Sequence, residues 1–568
     1  MKKVIPSLIE NKITFLLSKI LEPSTFVKKI LMKKLIIILC ILGFIPAAQA
    51  QKKNASPARP KLVVGIIVDQ MRDEYLHRFS GKFSSGGFKR MMGEGFTCRN
   101  HHYHYASTVT GPGHAHVYTG SSPAISGIVG NDWYEKTIGA RMYVAGDSTV
   151  KIVGEGKASA GKMSPVNLKV TTITDQLRVA TQFQSKVIGI SFKDRGAIMP
   201  AGHTGDAYWF DASSGNFITS TYYKETLPEW VSKFNAKKLP DYYITQKWET
   251  FFPIDQYTES EPDEQGYENT ATAEKKSVFP HTLNMESLYH SPFSNTLTRQ
   301  FAEEAVISEN LGGGDVTDFL AISFSGTDYA GHSYGPQSKE VQDVYVRLDR
   351  EIEQLLNFLD KRVGKGNYTV FLSADHAVSN IPAFNVKHRI PSGVFIGSEL
   401  SRMAKTILTE KYGDDKLITY YDNYQIYLNR DLISKRNLSI DEITATLNHV
   451  MSQKEGVFAV INLAEGKFTQ LPDYYQRKLN TLYNPKRSGE IMIIPEPAYF
   501  EGGIKGTTHG TMYTYDTHVP MLFYGWGINK GETFKPTYIS DIAPTLAMLL
   551  KILEPNGSIG VPIPEVLK

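Results

Sequence analysis

Two kinds of apolar patterning alternate along this chain. Unbroken runs rich in Val, Ile, Leu and Phe occupy Lys61–Asp69, Lys186–Phe192, Asp318–Phe324, Tyr368–Ser373 and Val519–Tyr524. Between them, Thr171–Phe183, Ser294–Leu311, Glu340–Leu359 and Ser540–Leu550 repeat their apolar positions at helical spacing. Runs apolar on both faces mark strands buried on both sides, and alternation with amphipathic helices predicts an α/β/α sandwich around a largely parallel central sheet. Because the strand runs are dispersed from residue 61 to residue 524, they predict one sheet with insertions rather than a series of domains. Two insertions stand out. Residues of about 205–290 are aromatic and polar with an acidic loop, Glu259–Glu268. Residues of about 395–500 alternate helical patterns (Glu399–Tyr412, Ser439–Gln453) with strand-like segments (Leu417–Leu428, Gly456–Leu463) and predict a small α+β subdomain.

The N-terminal fifty residues follow different rules. Lys33-Lys34 precede the apolar run Leu35–Ile45, and Ala47-Ala-Gln-Ala50 follows it. A basic start, a short apolar run and an Ala-x-Ala end predict a secretory signal, with cleavage after about Ala50 and a periplasmic or secreted product. The run falls short of the roughly 20 residues of a membrane span, so no stable span is expected after cleavage. Counted from Met32 the leader has ordinary length, which makes Met32 the expected start and residues 1–31 an extension. Residues 51–60 form a Pro/Ala/Lys linker, and residues 61–568 are expected to form the catalytic domain. Removing the leader changes the charge: the whole chain carries +4, whereas residues 51–568 carry 54 basic and 56 acidic side chains, or −2. A near-neutral domain argues against a nucleic-acid scaffold. Of two cysteines, Cys40 lies in the leader, leaving Cys98 alone. That excludes a disulfide framework and a thiolate-built metal cluster. Any metal must rest on Asp, Glu and His.

Such residues gather where the strand runs end. The first run ends on Asp69. The third leads into Ser325-Gly-Thr-Asp328-Tyr-Ala-Gly-His332, and the fourth into Ala374-Asp375-His376. A glycine-rich loop, Gly506-Thr-Thr-His509-Gly510, precedes the last run. Open α/β sheets bind ligands beyond the carboxyl ends of their strands. Three Asp and three His are the right kind and number of ligands for two divalent ions, and the imidazoles favour zinc. Asp328 and His332 are one turn apart if helical. Asp375 and His376 can share an ion only if the chain turns after Ser373.

Two further groups have chemistry to offer. In Ala106-Ser-Thr-Val-Thr110-Gly-Pro-Gly-His114, a tight turn is followed by a helix whose free amides favour an anion. Ser107, Thr108 and Thr110 are all candidate nucleophiles there, and spacing does not choose between them. In Lys193-Asp-Arg195, the two cations share a face if the segment is extended, which suits a dianionic phosphoryl group. His101-His-Tyr-His104 reads as aromatic packing, and His203 and Asp206 as structural. His388, Asp516 and His518 read as orienting residues around the site.

Asp69, Thr110-x-Pro-x-His114, Asn131, Asp328-x-x-x-His332, Asp375-His376, His509 and the ending Ile539-Ser-Asp-Ile-Ala-Pro-Thr-Leu546 with Gly560 and Pro562 together resemble the alkaline phosphatase superfamily. Within it, the pattern is most similar to the secreted, zinc-dependent, phosphate-irrepressible bacterial type. Ser126-Gly-Ile departs from the His-Gly-Ile of many relatives without losing a ligand. The resemblance implies two Zn²⁺, one held by Asp328, His332 and His509, the other by Asp69, Asp375 and His376 with the Thr110 oxygen. It selects Thr110 as the nucleophile that forms a phosphothreonine. It also implies that Asn131 and the Gly111 amide hold phosphoryl oxygens, while Lys193 and Arg195 bind the extra charge of a small-molecule monoester. The alternatives are a phosphodiesterase or nucleotide pyrophosphatase of the same superfamily and, more remotely, a catalytically dead metal-stabilised binding protein. The absence of a Cys/Ser-x-Pro-x-Arg segment argues against a sulfatase. Oligomeric state is not readable from the sequence.

Overall fold

A computed structural model describes residues 58–568 apart from 397, 467, 469 and 470; the leader and most of the linker lie outside the described residues. Ten strands form one sheet in the order Gly531–Tyr538, Phe96–His102, Leu522–Gly525, Tyr368–Ser373, Leu62–Val68, Asp318–Phe324, Val187–Ser191, Asp206–Asp211, Asn216–Ser220 and Ile152–Val153. The five strands from Tyr368–Ser373 to Asp206–Asp211 run parallel to one another. Leu522–Gly525 is antiparallel to both strands beside it. Every residue of Leu62–Val68, Asp318–Phe324 and Tyr368–Ser373 is buried, as strands covered by helices on both faces must be. The architecture is an α/β/α sandwich around a mixed, largely parallel sheet.

Four strands depart from the sequence pattern, in two pairs and for visible reasons. Residues 205–290 do not begin as an insertion: Asp206–Asp211 and Asn216–Ser220 extend the main sheet. Both are almost wholly buried, so they lack the alternation that advertises a strand. Phe96–His102 and Gly531–Tyr538 pair at the far edge, where exposure admits Arg99, Asn100, Glu532 and Lys535. The C-terminal pattern Ile539–Leu546 with Gly560 and Pro562 is a clasp. Asp541 accepts the N–H groups of Tyr538 (2.8 Å) and Val561 (2.9 Å), and Thr545 Oγ1 accepts that of Ile563 (2.9 Å).

The subdomain is built around four antiparallel strands, ordered Ile418–Asp422, Gln425–Leu428, Ile491–Pro495, Val457–Asn462. Helices Glu399–Tyr412 and Ile440–Met451 supply Leu400, Leu408, Ile443 and Leu447 to a core separate from that of the main sheet. Its first hairpin closes on Asn423 and Tyr424, both left-handed (φ 46° and 65°), the two-residue turn whose twist matches paired strands. No described helix is long and apolar enough to cross a membrane.

Candidate active site

Four neighbouring parallel strands deliver the site. In sheet order, Tyr368–Ser373 leads to Asp375 and His376, Leu62–Val68 to Asp69, Asp318–Phe324 to Asp328 and His332, and Val187–Ser191 to Lys193 and Arg195. Asp328 and His332 lie one turn apart on the helix Gly326–Tyr334. The donor atoms of Asp328, His332 and His509 lie within 4.8 Å of one another, as do those of Asp69, Asp375 and His376. The second trio is wholly buried. In the first, the side chain of His332 is 34% exposed.

The imidazoles are held in one orientation. Nδ1 of His332 faces the Thr507 carbonyl at 2.8 Å, Nδ1 of His376 that of Ala377 at 3.0 Å, and Nδ1 of His509 that of Thr108 at 2.7 Å. A carbonyl only accepts, so each Nδ1 carries the hydrogen and each Nε2 presents a lone pair. Those Nε2 atoms meet other acceptors: His332 and His509 lie 3.2 and 3.6 Å from Asp328 Oδ1, and His376 lies 3.6 Å from Asp69 Oδ1 and 3.4 Å from Asp375 Oδ2. Asp69 Oδ1, Asp375 Oδ2 and His376 Nε2 are buried without a hydrogen-bond partner. Lone pairs converging in a dry site are the arrangement a cation resolves. The donor set therefore fits two divalent ions.

Lys193 stands between the trios. Its Nζ is 2.7 Å from Asp69 Oδ2 and 2.5 Å from Asp328 Oδ2, and 5.0 Å from the centre of the Tyr329 ring. Burial opposes its charge, but Asp328 and Asp69 outweigh it and hold the ammonium above its ordinary pKa. Asp69 is pushed well up, chiefly by burial and then by Asp375. Arg195 Nη1 lies 3.2 Å from Tyr143 Oη, and its Nε is buried without a partner.

Thr110 opens the helix Thr110–Thr119, every residue of which is buried. The Gly111 N–H donates to Asn131 Oδ1 at 2.7 Å. A Cβ on Gly113 would sit 2.2 Å from the Asp375 carbonyl oxygen, so only glycine lets this helix lie against the Asp375 turn. A cleft of about 390 Å³ opens over the exposed trio, lined by Asn131, His332 and His509 on one side and by Asp422, Tyr424 and Glu501 on the other.

Other side chains brace the ligands, and one of them, Gln70, had not announced itself in the sequence. Gln70, left-handed at φ 64°, donates its side-chain amide to Asp328 Oδ1 (2.6 Å) and its backbone N–H to Asp375 Oδ1 (3.1 Å). His114 lies 2.9 Å from the Thr110 carbonyl, 3.3 Å from Asp375 Oδ2 and 2.8 Å from Ser323 Oγ. Asp516 Oδ2 accepts both the N–H (2.8 Å) and the hydroxyl (2.6 Å) of Thr511 beside the His509 loop, and its carbonyl accepts the Ala377 N–H at 2.9 Å. His518 does not reach the ligands: it stacks on His102 at 4.5 Å. His388 lies outside the site, 3.8 Å from Glu261. His101 and His104 pack against Thr537 and Tyr105, and His203 pairs with Asp175 at 2.9 Å.

A family model described as type I phosphodiesterase / nucleotide pyrophosphatase matches residues 63–518. The alkaline phosphatase PafA of Elizabethkingia meningoseptica is 44% identical over 528 residues, spanning 91% of this chain and 96% of PafA. A protein of Myroides odoratus named a calcium-transporting ATPase is 45% identical over 522 residues, spanning 90% and 95%. The alkaline phosphatase PhoV of Synechococcus elongatus is 42% identical over 552 residues, spanning 94% and 100%. The crystal structure of wild-type PafA matches with a TM-score of 0.88, covering 91% of this chain and 100% of that one at 44% identity. A PafA variant substituted at a threonine, an asparagine, a lysine and an arginine matches at 0.87, with the same coverage and identity. The chain belongs to the type I phosphodiesterase / nucleotide pyrophosphatase family, in the alkaline phosphatase superfamily with PafA and PhoV.

Proposed function

We propose that the protein is an exported, zinc-dependent alkaline phosphatase that hydrolyses phosphate monoesters through a phosphothreonine on Thr110. The observation that carries this reading is a pair of cations, buried Lys193 and half-buried Arg195, set beside two ligand trios and a threonine that begins a helix. The Thr, Asn, Lys and Arg substituted in the PafA variant have counterparts, in that chain order, in Thr110, Asn131, Lys193 and Arg195. Export rests on the leader at residues 33–50. The Myroides relative's name also describes a phosphoryl reaction, on ATP; nothing in the described residues points to transport.

Asp328, His332 and His509 would hold one zinc ion, and Asp69, Asp375 and His376 the other, with the Thr110 oxygen as a further ligand. Imidazole with carboxylate is a donor set zinc accepts readily. When bound, the two ions supply Lewis-acid charge and make water a competent nucleophile near neutral pH. Thr110 Oγ1 attacks phosphorus in line; the bond to the ester oxygen breaks, and the alcohol leaves. Water then cleaves the phosphothreonine, returning Thr110 and releasing phosphate. The first-turn amides of the helix favour the phosphoryl charge. Asn131 accepts from the Gly111 N–H through Oδ1 and lines the cleft, so its Nδ2 hydrogens are free to donate to a phosphoryl oxygen. Lys193 and Arg195 stabilise the second charge of a monoester, which a diester lacks.

The test is hydrolysis of an aryl phosphate monoester and its methyl diester by the zinc-loaded enzyme and by the Lys193→Ala/Arg195→Ala variant. The monoester should be strongly preferred by the wild type. Loss of the charge-assisted contacts should cut that preference by about 10–100-fold. Equal rates on both substrates, or a variant with unchanged preference, would leave the phosphodiesterase reading standing instead.

A further inference from the structure

The alcohol side of the cleft carries charge that phosphoryl transfer does not use. The space of about 390 Å³ over His332 and His509 is the place for whatever the ester oxygen bears, and its far wall presents Asp422 and Glu501. Among the described residues, no lysine or arginine lines it. A third acid there, Asp132, is already paired with Arg141 at 3.0 Å. Arg141 is also a cation that acts on Asp422, but it does not offset the opposing causes: burial and then Asp132 push the Asp422 carboxyl up to about 7. Glu501 accepts the Tyr421 hydroxyl on Oε2 at 2.9 Å, which leaves Oε1 for a ligand, and burial raises its pKa as well.

The wall is fixed in place. Asn423 Nδ2 donates to Ser107 Oγ at 2.9 Å, which ties the turn after Asp422 to the segment that leads into Thr110. The Glu501 N–H donates to Tyr424 Oη at 2.8 Å, so the same hairpin positions both acids. Two carboxylates held beside the seat of a phosphoryl dianion oppose its binding through like charge. The opposition turns into attraction when the alcohol itself carries a positive charge.

Resting on the phosphatase reading above, we propose that Asp422 and Glu501 are specificity-determining residues that select phosphate monoesters of small amino alcohols, whose ammonium they bind. An ammonium on a short alkyl arm offers hydrogen-bond donors to both acids while its phosphoryl group lies at the trios. The same wall disfavours an alcohol that bears a carboxylate. A cleft of this volume takes a small ligand.

Three monoesters of nearly one shape test this: 2-aminoethyl, n-propyl and 2-carboxyethyl phosphate. They are assayed with the zinc-loaded full chain at about pH 8, where the amine is protonated. The wild-type kcat/KM should fall in that order. In Asp422→Asn/Glu501→Gln the ratio of the aminoethyl to the propyl ester should drop by about 10-fold, a comparison that cancels the esters' intrinsic reactivities. Salt offers a second readout that needs no variant. Between about 50 mM and about 500 mM salt the wild-type ratio should fall several-fold, because both acids are partly exposed. A ratio unchanged in the variant, or unmoved by salt, overturns the proposal, while hydrolysis of all three esters leaves the phosphatase reading standing. A variant that slows the three esters alike also overturns it, and would assign the acids to tuning the charge around the phosphate. A wild type that hydrolyses none of the three removes the phosphatase reading and this proposal with it.

Discussion

The two ligand trios share chemistry and differ in exposure. Asp69, Asp375 and His376 are shut into the core, with the Gly113 turn of the Thr110 helix against Asp375. Asp328, His332 and His509 open onto the cleft, and His332 is reached by solvent. An ion in the closed trio exchanges only when surrounding structure opens, whereas one in the open trio meets solvent and substrate directly. The closed half is therefore suited to stay with the nucleophile through a catalytic cycle, and the open half to the side where the alcohol departs and water enters.

The largest expected effect belongs to the nucleophile that the closed trio serves. Thr110→Ala should lower kcat/KM for a monoester by about 10³-fold or more and abolish any phosphoenzyme trapped at low pH. A variant that still yields a trapped phosphoenzyme would move the nucleophile to Ser107 or Thr108. Next comes the contrast between the halves. Asp69→Asn should lose one of two zinc ions irrecoverably, while His332→Ala should weaken zinc by about 10–100-fold and regain activity as zinc is raised. Metal content measured across a zinc titration separates them, and equal rescue of both variants would erase the distinction.

The smallest effect concerns the loop of the open half. Lys478 is buried and donates to the Met512 carbonyl (2.8 Å) and to Thr517 Oγ1 (3.2 Å), just beyond His509. Burial lowers its pKa to about 7, with Asp516 opposing. Because the folded value lies below the unfolded one, the unfolded chain binds the extra proton between them. Lys478 therefore favours folding fully above about pH 10.5, and that contribution is lost as pH falls to about 7. Unfolding free energies from urea titrations should rise across this window by an amount on the order of a few kcal/mol, and Lys478→Met should flatten the rise. A Lys478→Met profile parallel to the wild type would assign the pH dependence elsewhere.

Much of this was legible in the residues. Leu62–Val68, Asp318–Phe324 and Tyr368–Ser373 announce themselves because burial on both faces demands unbroken apolar runs, and such strands need little from distant context. Gly531–Tyr538 was hidden because an edge strand tolerates charge, and Phe96–His102 beside it because the partly exposed Arg99 and Asn100 interrupt its apolar run. The six ligand-type side chains could be picked out individually at strand ends, but their division into trios came only with the family resemblance, since spacing along the chain does not encode sheet order. Gln70 could not be found at all. A glutamine that bonds Asp328 and Asp375 is defined by partners more than two hundred residues away. Asp516 could be picked out as an orienting residue by its place near the site loops, but not its partners, Thr511 and Ala377.

The Asn423–Tyr424 turn gives the substrate cleft an unusual ancestry. The wall it helps form, with Asp422, is folded by the subdomain's own small core, whereas the opposite wall is folded by the main sheet. Drift in the subdomain can reshape what approaches the open half without disturbing the strand ends that set the reaction. On the function proposed above, the residues that meet the alcohol can then change apart from those that act on its phosphate. Transplanting residues 395–500 between relatives is the natural way to change the first while leaving the second alone.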